Sequence, residues 1–251
     1  MIELRALTES RQFQEAVELQ KTVWGFNDVE LLPVRLFVVA TKVGGQAFGA
    51  YDGNGMVGFL LSIPGLKPGG GSYLHSHMLG VLPEYRNRGV GRMLKLRQRE
   101  DALERGIGLV EWTFDPLELK NAFFNMERLG AIVRRYVENQ YGTTTSPLHG
   151  GLPTDRCVAE WWLASAHAEA VIAGRALARK VEERGVVERI EVPADIDLIR
   201  REEPRRAREI QKSLGTRLTS GFDRGLAVIG FERSGGVGTY LLGRWECGSN
   251  A

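Results

Sequence analysis

The sequence predicts an α/β (α+β) fold, a mixed sheet flanked by helices with a smaller α/β extension at its C-terminal end. Three observations predict it. Strand and helix periodicities alternate over residues 1–165. A glycine-rich turn, Arg86-Asn87-Arg88-Gly89-Val90-Gly91, joins an apolar stretch to a helical pattern. A helix-plus-hairpin pattern then fills much of residues 166–251.

The elements follow in order. Ile2 to Leu7 reads as a first strand, and Thr8-Glu9-Ser10 supplies an N-cap region for an amphipathic helix through Phe13, Val17 and Leu19 to about Trp24. Pro33 starts a second helix to Val43. Gln46–Tyr51 and Met56–Ile63 flank the turn Asp52-Gly53-Asn54-Gly55, a hairpin signature. Gly69-Gly70-Gly71 is a loop before the strand Tyr73–Val81, and a helix runs roughly from Arg88 to Arg105. Leu109–Phe114 is a strand ended by Asp115-Pro116, Leu117–Arg128 a helix closed by Leu129-Gly130, and Ala131–Val137 a strand. Thr143 to Gly151 is loop-like. Cys157–Ala164 reads as a strand, Ala166–Glu183 as an Ala-rich helix, and Glu188–Val192 as a strand before Pro193. Phe48–Gly58 resembles Val228–Gly238 at an offset of 180, and Ala16–Lys21 resembles Ala207–Lys212. A partial duplication and chance similarity between hairpins both account for this. The second copy lacks the glycine-rich turn.

That turn is the most informative feature. A strand, a turn with free backbone N–H groups and a helix N-terminus together favour a bound phosphate. Glycines let the backbone approach the ligand, and Arg86, Arg88 and Arg92 add cationic donors. The run Val81-x-Pro83-x-x-Arg86-x-x-Gly89-x-Gly91 resembles the acyl-CoA-binding signature of the GNAT acyltransferase superfamily, Val-x-Pro-x-x-Arg/Gln-x-x-Gly-x-Gly/Ala. The resemblance covers roughly residues 1–165 and implies the GNAT fold, with a mostly antiparallel sheet. It implies that the turn Arg86, Asn87, Arg88, Gly89, Val90, Gly91 and Arg92 holds the CoA pyrophosphate. It also implies that Leu79, Gly80 and Val81 lie on a splayed strand that pairs with the pantetheine amides, and that Asn121 and Phe124 contact the cofactor arm.

Transfer of an acyl group to an amine needs a base, a donor for the developing oxyanion and sometimes an acid for the thiolate. His75 and His77 sit two apart on a strand, on one face, with a pKa range suited to proton relay. The pair is similar to the His-x-His of serotonin N-acetyltransferases. Structural roles are the plain alternative. Glu111 is a charge within an apolar strand, a candidate base or amine ligand or else a wet edge residue. Many superfamily members carry a tyrosine acid in a Tyr-x-x-Leu-Gly setting. Here Met126 takes that place, with Tyr136 and Tyr141 nearby. Arg134, Arg135 and Arg156 are candidates for binding a carboxylate. His149 and His167 show no ligand spacing, so no metal is expected.

A net charge of +2 gives no general argument for nucleic acid or membrane binding, and two cysteines, Cys157 and Cys247, make no disulfide framework. No apolar run approaches membrane-spanning length and no signal-peptide pattern opens the chain, so a cytoplasmic location is expected. The combined reading is an N-acyltransferase that uses acyl-CoA (acetyl-CoA or succinyl-CoA) as co-substrate and acts on a small-molecule amine such as an amino acid. A non-catalytic CoA-binding or interaction protein and a protein N-acetyltransferase are the alternatives. The extension, residues 166–251, is expected to shape the acceptor site or a homodimer interface.

Overall fold

The computed structural model describes residues 1–26, 30–142, 151–175 and 185–246. The loop expected from Thr143 lies almost wholly outside the described residues, as do His149, Cys247 and the second half of the helix expected to reach Glu183. The chain forms two compact units, Met1–Glu111 and Trp112–Ala251.

The first unit runs β1 (Ile2–Ala6), α1 (Ser10–Trp24), α2 (Val34–Lys42), β2 (Gln46–Asp52), β3 (Gly55–Leu66), β4 (Ser72–Val81), a 3₁₀ turn (Pro83–Tyr85) and α3 (Val90–Glu104). β5 (Leu109–Phe114) crosses the division. The strands stand in sequence order; β1 to β4 are antiparallel, and β4 meets β5 in parallel. α1 starts where the sequence places its cap: Gln12 Oε1 accepts from Thr8 N at 2.8 Å and Glu9 N at 3.0 Å. It ends at Gly25, whose φ of 66° lets the backbone turn back.

Two cores explain the layers. Phe13, Phe37, Phe59 and Leu61 pack α1 and α2 against one sheet face. Val90 and Leu94 of α3 pack on Phe48 and Leu60 on the other. Gly45 lies at the tight entry from α2 to β2, where a Cβ would stand 2.2 Å from Ser62 O and 2.7 Å from Ala40 O. Backbone atoms cannot yield as a side-chain tip can. Gly45→Ala is therefore expected to lower stability by roughly 3 kcal/mol, read from the denaturant midpoint at unchanged m-value.

The second unit carries α4 (Leu119–Phe123), β6 (Ile132–Val137), β7 (Arg156–Trp162), α5 (Ala166–Ile172), β8 (Val186–Pro193), α6 (Ile196–Glu202), α7 (Pro204–Asp223), β9 (Leu226–Ser234) and β10 (Val237–Arg244). Its strands run β7-β6-β9-β10-β8. The helix expected over Leu117–Arg128 starts two residues later and changes character at Phe124, where it widens into π-helical turns to Leu129. Gly130, at φ 74°, closes it as the sequence predicts. The Ala-rich helix α5 stops at Ile172, followed by Ala173 and Gly174 in a turn. α6 has no counterpart in the sequence reading. The C-terminal hairpin is present as β9–β10, but β8 pairs with β10 whereas β1 pairs with β2, so the internal resemblance does not extend to strand order. Among the described residues, no helix is long and apolar enough to cross a membrane.

Candidate active site

The site in the first unit is built on β4. Its pairing with β5 covers Leu74↔Val110 and His75↔Glu111, while its antiparallel pairing with β3 continues to Val81↔Gly58. The β3 register skips His77: Ser76 pairs with Ser62 and Met78 with Leu61, so His77 is a β-bulge.

The bulge decides which way side chains face. Ser76 lies on the α3 side, where Lys95 Nζ donates to its hydroxyl at 2.8 Å. His75 pairs with Ile63 on the α1/α2 side, and the His77 ring lies 5.8 Å from the His75 ring. The spacing therefore puts both imidazoles on one face, as predicted. Beyond the bulge the register flips. Leu79 and Val81 pack with Val90 and Leu94 on the α3 side, and Met78 packs on the α1/α2 side. Strict alternation would have kept Leu79 and Val81 with the histidines; the extra residue at His77 corrects that expectation.

His77 is exposed and His75 half-buried. The protein around both rings removes part of their hydration and holds both pKa values below the ordinary histidine value. For His75, the neighbouring His77 pushes further down and the Glu111 carboxylate acts in the opposite direction. Glu111 itself is 4% exposed and is no wet edge residue. Lys67 forms an ion pair with it, and the same ammonium lies 4.8 Å from the Tyr73 ring centre. The Gly69-Gly70-Gly71 loop places Lys67: Lys67 N donates to Gly71 O at 2.7 Å and Gly70 N to Lys67 O at 3.0 Å. No sequence signal marked Lys67, because its partner is 44 residues away.

Two further features shape this face. Gly80 has room for no side chain: a Cβ would meet Trp24 at 2.9 Å and Phe59 at 3.0 Å. Trp24 thereby lies against β4, edge-on to Phe59 with ring centres 6.0 Å apart and stacked on Phe26 at 5.5 Å. Behind the strand, Lys95 is fully buried and also donates to Gln98 Oε1 at 3.0 Å. Burial drives its pKa well below the ordinary lysine value.

The glycine-rich turn follows β4. Asn87 (φ 61°) and Gly89 (φ 83°) are both left-handed, and Gly89 is the N-cap of α3 with no side chain capping the helix. A Cβ on Gly89 would meet no atom within 4 Å, so the turn faces open space. Uncapped N–H groups, a helix N-terminus and an open concave backbone fit an anionic group such as a pyrophosphate. The cations are arranged less uniformly than the sequence suggests. Arg86 folds back, donating through Nε to Val81 O and through Nη2 to Val23 O, both at 3.3 Å, and so braces the turn. Arg88 lies over the Tyr85 ring at 5.2 Å. Val90 is buried in the α3 core, and Gly91 and Arg92 are half-buried in the first helical turn.

In the second unit, Asn121 is exposed on α4 and Phe124 half-buried where the helix widens. Met126, at the expected tyrosine position, is 1% exposed. Tyr136 donates to Asp155 Oδ2 at 2.6 Å; burial, and then that carboxylate, push its pKa far up. Tyr141 is exposed, with its hydroxyl 3.0 Å from Thr113 Oγ1. Arg134 pairs with Glu160 at 2.6 Å, Arg135 lies 3.9 Å from the same carboxylate, and Arg156 donates to Asp155 O at 2.9 Å. Cys157 is a buried free thiol whose pKa burial pushes up, which makes it a poor nucleophile.

Residues 12–130 match the model of the acetyltransferase (GNAT) family. That stretch, 119 of the 251 residues, is what the family model covers. Solved structures agree on the fold. The ribosomal-protein-S18-alanine N-acetyltransferase of Escherichia coli is similar at 16% identity and TM-score 0.53, over 66% of this chain and 96% of that one. The smu.2055 protein of Streptococcus mutans is similar at 14% identity and TM-score 0.53, over 64% and 99%. Arabidopsis thaliana NAA60, in complex with a bisubstrate analogue, is similar at 15% identity and TM-score 0.52, over 64% and 98%. No curated protein sequence matches the chain.

Proposed function

We propose that this GNAT enzyme transfers an acetyl group from acetyl-CoA to a small-molecule amine by direct attack, with His77 as the base. The observation that carries the reading is the bulged, exposed His77 on β4, a few residues before the open glycine-rich turn. The Arg86–Gly91 turn and the first N–H groups of α3 hold the pyrophosphate, and Leu79, Gly80 and Val81 offer backbone groups to the pantetheine amides. In the second unit, Asn121 and Phe124 are the residues that the family resemblance assigns to the cofactor arm.

The amine nitrogen attacks the thioester carbonyl carbon as the carbon–sulfur bond breaks. His77, neutral at pH 7 because its pKa is depressed, takes the amine proton directly or through His75. Backbone N–H groups of β4 face the developing negative charge on the carbonyl oxygen. The sulfur leaves as thiolate and is protonated in turn, so the products are one amide and free CoA. Glu111 is already paired with Lys67, which favours a role in orienting His75 over one as base. The Trp24–Phe26 stack beside Gly80 supports an acceptor with an apolar body.

Free-thiol release from acetyl-CoA tests the reading, using small aliphatic and aromatic amines, amino acids and peptides with free N-termini. The expected result is turnover with small amines, highest for those with an apolar body. Turnover confined to peptides would replace this acceptor with a protein N-terminus, and CoA binding without any turnover would leave a binding protein.

A further inference from the structure

We infer that the C-terminal extension holds the α4 segment of the second unit in place: Arg200 of α6 positions the segment Asp115–Leu129 that carries Asn121 and Phe124. The inference rests on the reading that those two residues contact CoA. The Arg200 side chain is 6% exposed. Its Nη2 lies 2.7 Å from Asp115 Oδ2 and its Nη1 3.2 Å from Glu118 Oε1. Asp115 uses its other oxygen, Oδ1, to accept from Leu117 N at 2.8 Å. One guanidinium therefore fixes both carboxylates of the short turn that feeds α4.

The grip does not rest on Arg200 alone. Tyr240 of β10 is fully buried and donates to Pro116 O at 2.5 Å. Phe231 N of β9 donates to Glu127 Oε1 at 2.9 Å, inside the π-helical turns. These bonds join residues 82 to 124 positions apart. Each therefore ties the extension to the α4 segment and none is local. The Arg200 and Asp115 side chains are only 6% and 12% exposed, so separating them leaves a largely desolvated charge without its partner, and the turn is expected to lose this geometry without α6. The functional consequence follows from α4 itself. Its exposed face holds Asn121, and a misplacement of about 1 Å at a substrate-holding residue costs up to about 10²-fold.

The test uses the full chain. In Arg200→Lys the charge stays but a single ammonium cannot serve two carboxylates in the fork geometry. Hydrogen exchange over residues 115–129 is expected to rise about tenfold while residues 1–111 keep native protection. KM for acetyl-CoA is expected to rise about tenfold with kcat changed far less. Arg200→Met, with Asp115→Asn and Glu118→Gln to remove the orphaned charges, should show the same two changes; if it does not fold, Arg200→Lys alone decides. Native exchange over 115–129 in Arg200→Lys would overturn the clamp. Faster exchange with native KM would overturn the positioning role, and Asn121→Ala then locates the fault. A raised KM in Asn121→Ala keeps the α4 contact with CoA and rejects only Arg200's part in it. A native KM there rejects the α4 contact itself.

Discussion

His77→Ala is expected to lower kcat by 10² to 10⁴, the range typical of a lost general base, while acetyl-CoA affinity changes little. His77 is exposed at a bulge, so removing its ring opens no core cavity and the variant should fold normally. The pH profile gives the sharper reading. Partial desolvation depresses the pKa of His77, so the ring stays neutral to a lower pH than an ordinary histidine. In the native enzyme, kcat/KM should fall as pH drops through that depressed value, below about 6.5, and stay level above it until other groups titrate. In His77→Ala this acid limb should vanish or move. His75→Ala should cost less, because His75 is the inner ring of the pair. A His77→Ala variant with native rate and an unmoved acid limb would assign the proton to another group. Calorimetric titration with CoA separates a lost base from a lost binding site.

The parts of this molecule that the sequence made legible are those specified locally. The β2–β3 hairpin follows from Asp52-Gly53-Asn54-Gly55, and the start of α1 follows from the Thr8-Glu9-Ser10 cap region. The shape of the glycine-rich turn follows from glycine spacing, because a left-handed residue at position 89 favours glycine. What was not legible depends on pairing at long range. The bulge at His77 is a property of the β3–β4 register and leaves no mark in the period-2 pattern of β4. Lys67 and Arg200 find their carboxylates 44 and 85 residues away, and a lone cation in a sequence does not name its partner. α6 is seven residues long and half charged, too short and too polar for periodicity to reveal. The widening of α4 at Phe124 was also hidden, since helical propensity does not separate α from π turns.

Gly89→Val is expected to abolish measurable CoA affinity in a protein that still folds. Two physical effects of very different size meet at this residue. The first is strain: φ is 83°, and forcing a residue with a Cβ into the left-handed region costs about 1–2 kcal/mol, more for a β-branched side chain. That is a loss the fold can absorb, because no atom lies within 4 Å of the new Cβ and nothing in the core must move. The second is occlusion. The same empty space is where an anion would approach the N–H groups that begin α3, so the valine side chain fills the cradle it borders. Gly91 is the internal control. A Cβ there meets only Leu79 and Val81 at 3.8 and 3.9 Å, ordinary contact distances inside the first helical turn, so Gly91→Ala should bind CoA more nearly as the native protein does. Titration calorimetry with CoA and thermal melts of the two variants check this together. Native affinity in folded Gly89→Val would place the pyrophosphate elsewhere. A loss of affinity that tracks the loss of melting temperature equally in both variants would mean that strain, and not occlusion, governs the turn.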